Sequence, residues 1–215
     1  MTKLESMALR VTELLAASLA ANFASIRELH PDEHFYGIAL GLDNDWFSFQ
    51  FIANSHEVIE REVLERARRC GVPVDKLERT SPLWVPGWEY CVRGTDDAGW
   101  AHDSLWNECY GGGKGPFEYD AVKMRVWRAV VEAFHKFVEN GGLNGYDRND
   151  FVLIPWIHDP DRPDLVMSAA AELNTPSMGA RFLAQYSYRS YASQTSALHG
   201  GDEQLREPEP PSGSN

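Results

Sequence analysis

Within the first 52 residues the hydrophobic repeat changes from three-and-four to two. From Leu4 to Leu29 the apolar positions Leu4, Met7, Val11, Leu14, Leu15, Leu19, Phe23 and Ile26 return every third or fourth residue, with Glu5, Arg10, Glu13 and Asn22 between them. That is the spacing of one helix face. Proline disfavours helical geometry in the residue before it, so a helix over 4–29 is predicted to stop ahead of Pro31. The runs from Phe35 to Leu42 and from Trp46 to Ile52 then flank Asp43-Asn44-Asp45, and in the second run Phe47, Phe49 and Phe51 alternate with Ser48 and Gln50. Alternation of this kind marks half-buried strands, and Asp and Asn suit a tight turn, so 35–52 reads as a β-hairpin.

Later segments repeat both periods. Asn54 or Ser55 caps a helix over 55–70 that carries Ile59, Val63, Ala67 and Cys70 on one side and ends at Gly71. Its other side pairs Glu57 with Arg61, Glu62 with Arg66 and Glu65 with Arg69, acid first, each pair contributing about 0.2–0.5 kcal/mol. The middle, Val72 to Gly115, is rich in Pro, Gly and Trp and yields one short alternation, a strand near 88–93 with Trp88, Tyr90 and Val92 on one face. Trp84, Trp88, Trp100 and Trp106 are expected to be buried, since large rings gain about 1.5–3 kcal/mol on leaving water. A helix over 117–140 stops at Gly141-Gly142. The apolar run near 150–157 reads as a strand whose Pro155 implies an edge or bulge. The segment Leu165 to Leu173 fits strand or helix, and Thr175-Pro176 opens a helix over 176–188. The fold class is therefore α+β, a mostly antiparallel sheet packed by helices, in a single domain over 1–198. Residues 199–215, acidic and Pro-rich, form a tail that cannot pack a core.

Composition limits the function classes. The chain has 215 residues, 20 basic against 32 acidic, and so a net charge of −12. This opposes the counterion release that drives nucleic-acid binding, and no nucleic-acid or membrane partner is expected. Glu5 and Glu13 interrupt what a signal peptide would keep uncharged, so the protein is expected to be cytoplasmic. Cys70, Cys91 and Cys109 are too widely spaced for a zinc or redox motif and read as buried free thiols.

Motifs that invite chemistry each meet an obstacle. Gly111-Gly112-Gly113-Lys114-Gly115 lacks the spacing of a phosphate loop and reads as a flexible loop. His158, Asp159 and Asp161 could ligate a cation, but the intervening prolines favour a polar turn, so no metal and no cofactor is expected. His30, His34, His102, His135 and His158 form no nucleophile signature with the cysteines, and no catalytic residue is assigned.

The leading expectation is a non-enzymatic module that binds another protein. Negative charge speeds encounter with a basic partner and aromatic anchors supply desolvated contact, with Asp43, Asp45, Trp46, Asp96 and Asp97 as contact residues in or beside turns. The alternative is an enzyme or small-ligand protein with a pocket near the Trp-rich segment 84–106, built from His56, Glu57, Glu89 and His102.

Four blocks resemble the bacterial domain-of-unknown-function family 4303. They are His34 to Leu40 running into an acidic turn; Ala53-Asn54-Ser55 opening a helix; Trp84 followed by Trp88-Glu89-Tyr90; and the stretch from Trp127 through Gly142 and Arg148 to Asp159. The segment Ser168 to Asn174 before a Pro-opened helix is similar too. The resemblance implies a compact α+β bacterial domain with no established catalytic mechanism. By analogy with small acidic families encoded beside toxin genes, it implies an immunity protein that neutralises a toxin.

Overall fold

The computed structural model describes residues 1–43, 46, 48–76, 85, 88–93, 97–157 and 162–186. The proposed tail, Asp45, Asp96, Trp84, His158, Asp159 and Asp161 lie outside them. Helix α1 (Lys3–Leu29) opens on a capping box: Thr2 Oγ1 accepts from the Glu5 N–H at 3.2 Å, and Glu5 accepts from the Thr2 N–H at 2.7 Å. Length and composition would let α1 cross a membrane. In the fold, its apolar stripe from Leu4 to Ile26 is instead buried in the core, with Phe23 against Phe137.

Strands β1 (Phe35–Leu42) and β2 (Phe49–Ser55) form the expected antiparallel hairpin, and β3 (Tyr90–Arg93) adds antiparallel to β2. Strand β4 (Val152–Ile157) pairs parallel with β1, giving the order β3-β2-β1-β4. A parallel neighbour so far along the chain needs a long crossover, which the intervening helices supply. Pro155 falls on this edge strand, where a missing N–H is tolerated. The outer side of β4 is closed by a side chain, for Asn174 accepts from the Leu153 N–H at 2.8 Å and donates to the Leu153 carbonyl at 2.8 Å.

Helix α2 (His56–Cys70) takes Ser55 as its N-cap, accepting from the Val58 N–H at 3.2 Å, and ends at Gly71 with φ +64°. Its expected apolar side is only half-buried, and Val58 alone is fully enclosed. Of the predicted pairs, Arg69–Glu65 forms at 3.8 Å, but Arg61 turns away from Glu57 to reach Glu33 at 2.9 Å and Glu89 at 3.6 Å. Helix α3 (Asp97–Cys109) occupies part of the Pro-, Gly- and Trp-rich middle, where the sequence yielded one strand and no helix. Helix α4 (Tyr119–Glu139) crosses the core against α1, and α5 (Pro163–Leu173) resolves the ambiguous segment as helix. A sixth helix, α6, follows over 176–186.

Two burial expectations are corrected. Cys70 and Cys91 are exposed, and only Cys109 is buried, because α2 and the edge strand β3 leave their outer sides uncovered. Trp88 and Trp106 are buried, whereas Trp100 is 71% exposed on the outer side of α3. Nor does Trp88 share a face with Tyr90. It precedes the strand at a bend and packs on Tyr36, above Gly37, where a Cβ would stand 2.7 Å from its ring and 2.6 Å from Val152. Tyr90 meets His30 and Phe35 instead.

Candidate functional site

The residues singled out by sequence divide between two ends of the sheet. At the hairpin end, Asp43 is half-buried and accepts from the Ser48 hydroxyl at 2.7 Å. Trp46, expected as a surface contact, is fully buried. Its ring lies 6.0 Å from Trp127 of α4 with the Lys123 ammonium 4.6 Å above it, and its carbonyl accepts from the Trp106 indole at 2.8 Å. This ring, held at φ +62°, anchors the turn in the core and is unavailable to a partner.

Helix α3 covers that anchor. Ala98, His102, Leu105, Trp106 and Cys109 point inward at helical spacing, and Asp97, Trp100, Asp103 and Asn107 form one exposed ridge. Asp97 sits in the first turn, where a carboxylate complements the helix dipole. His102 is not a surface base. It is buried against Phe49 at 5.5 Å and accepts from the Trp106 indole at 3.1 Å, and burial pushes its pKa down to about 4. Neutral imidazole is therefore the resident form at physiological pH.

Below α3 the glycine run makes a tight 3₁₀ turn (Gly111–Gly113), with φ of +54°, +65° and +85° at the three glycines. Only glycine adopts such a succession readily. The N–H groups of Gly113 and Gly115 both donate to the Tyr110 carbonyl, at 3.0 and 2.7 Å, so they are already occupied and do not form a phosphate cradle. The expected flexible loop is an ordered turn that positions Tyr110, whose ring packs on Tyr119 and Trp106 at 5.2 and 6.1 Å. Asp103, Trp106, Asn107, Tyr110 and Gly112 line a hollow of about 320 Å³ on this outer surface.

The opposite end gathers three of the four alternative-pocket residues around an acid the sequence reading passed over. Glu33, with 10% of its side chain exposed, accepts from Ser55 and Tyr90, each at 2.5 Å, and from Arg61 at 2.9 Å. Burial pushes its carboxyl up, but these donors together hold it below the ordinary carboxylate range. Burial and then the bond to Glu33 raise the Tyr90 phenol to about 12. Glu57 bonds the His34 ring at 2.6 Å and its N–H at 2.8 Å, and despite the opposing effect of burial its pKa falls to about 2. His56 lies against the Tyr36 ring at 5.0 Å, and Glu89 faces Arg61. Here the polar groups satisfy one another and tie the α1–β1 connection to α2 and β3. His102, at the other end, joins none of them.

The sequence carried a signal for the hairpin-end face that went unread. Ala98, His102, Leu105, Trp106 and Cys109 recur at four, three, one and three, the same helical spacing that identified α1, and placing them inward leaves Trp100 outward. Glu33 and Tyr90 had no such signal, because they meet across 57 residues of chain. No curated protein and no solved structure matches the chain. The four strands, helices α2 to α5 and the exposed ridge of α3 all fall within residues 15–175, the stretch matched by the family described as Domain of unknown function (DUF4303), and the chain belongs to that family.

Proposed function

We propose that the chain acts in the cytoplasm as a non-enzymatic protein-binding module whose partner is a basic protein, as an immunity protein meets a toxin. The observation that carries this reading is Trp100, a large ring left 71% exposed on a regular helix between Asp97 and Asp103. A solvated indole costs stability without a partner, while Trp is the residue type most enriched where interfaces concentrate their energy. Flanking carboxylates on a molecule of net charge −12 select a cationic surface and steer its approach. Asp43 and Asp97 keep their role in this reading, and Trp46 supports it only from beneath.

The test is titration calorimetry against the protein encoded by the neighbouring reading frame, at low and physiological salt. Affinity should fall with added salt and fall again when Asp43 and Asp97 are changed to lysine. Trp100→Ala should weaken it about tenfold or more, the loss expected of a central aromatic anchor. Binding indifferent to salt and to charge reversal would defeat the electrostatic basis of the reading.

A further inference from the structure

The hollow along the outer side of α3 sets a carboxylate close to an aromatic ring. Asp103 and Asn107 line it beside Tyr110, whose half-buried ring is braced edge to face at 86° on the buried Trp106. Asp103 is 58% exposed, and its ion-pair neighbour among the described residues is the His102 imidazole at 3.9 Å. Burial keeps that imidazole neutral, so it brings no cation to the carboxylate. At about 320 Å³ the space stands at the small end of ligand pockets and suits the tip of one side chain.

Aromatic rings attract cations through their quadrupole, and a carboxylate accepts two parallel N–H bonds from a planar fork. An ammonium would satisfy the charge but not the planarity, and it gives up more hydration on leaving water. We infer that this hollow receives an arginine side chain of the basic partner, with the guanidinium on Asp103 and against the half-buried Tyr110 ring. The assignment rests on the protein-binding reading and adds to it the residue type that the partner presents. Gly112, at φ +65°, adds no side chain to the lining.

The full-length ¹⁵N-labelled chain should be titrated with N-acetyl-arginine amide, its citrulline counterpart and its lysine counterpart, following the indole N–H signals of Trp100 and Trp106 and the amides of 100–112. Arginine amide should give saturable shifts confined to that region, with a dissociation constant of the order of 1 mM for so small a probe. Citrulline, equal in shape but uncharged, should give none, and lysine should bind several-fold more weakly. Asp103→Asn should weaken the arginine response about tenfold, while Glu60→Gln on α2 leaves it unchanged. Shifts that fail to saturate, that spread over other acidic surfaces, or that survive Asp103→Asn would overturn the assignment. If the partner still binds with the salt and charge-reversal dependence described above while Asp103→Asn leaves its affinity unchanged, the guanidinium site is wrong and the protein-binding reading stands.

Discussion

His34 and Glu57 illustrate how one contact writes a pH signature. The bond to Glu57 raises the His34 pKa in the folded state, so its stabilising effect is full below the unfolded value of about 6.5 and is lost as pH rises through the folded value. Glu57 is depressed to about 2, so its contribution is present above the unfolded value of about 4.3 and disappears as pH falls toward 2. The pair is therefore most stabilising between about pH 4.3 and 6.5. NMR titration of the His34 ring should show its pKa returning toward the ordinary value in Glu57→Gln, and the decline of urea midpoint above that window should flatten. An unchanged His34 titration in the variant would show that the contact is not formed in solution. None of this was available from spacing, which paired Glu57 with Arg61 along the helix.

The edge strand shows the same dependence on distant chain at the level of an element. β4 is buried along its length, yet it is the last strand of the sheet and carries a proline. Asn174 acts as a short continuation of the sheet: it occupies both the N–H and the carbonyl of Leu153 and also donates to the Ala170 carbonyl at 2.7 Å, closing the end of α5. Replacing it with alanine strands a buried donor and two acceptors, at a cost of about 2 kcal/mol or more. The urea midpoint of Asn174→Ala should drop accordingly, and amide exchange at Leu153 should quicken more than at Ile38 in β1. Equal exchange at both positions would mean that the side chain does not seal this edge. α2 makes the opposite case, since its start at Ser55 and its stop at Gly71 follow from capping chemistry that four or five residues contain.

For the molecule as a whole, cysteine exposure offers a direct readout of the fold. Cys70 and Cys91 are exposed, and Cys109 lies in the core, where burial raises its thiol pKa. A thiol reagent under native conditions should modify two sites promptly, and the third only at the rate at which α3 opens. Prompt labelling of all three would mean that the inward face of α3 does not pack in the core as described. The separation of the two polar ends is a property of this same scale. The sheet holds His56, Glu57 and Glu89 at one end and His102 beyond the other, so residues that looked like one pocket in the sequence are divided by the length of β1 and β2.

The helices 3–29, 56–70 and 119–139, the hairpin and the opening of α6 at Thr175-Pro176 could be read directly from the chain. Each is set by backbone geometry and by neighbours within a turn or a strand, so hydrophobic period, a cap or a proline suffices. The direction of β4, the partner of Arg61, the burial of Trp46 and the exposure of Trp100 could not be read in this way. They depend on which surfaces the completed sheet leaves for α3 and α4 to cover, and a tryptophan carries the same apolar area whether a helix lands on it or beside it.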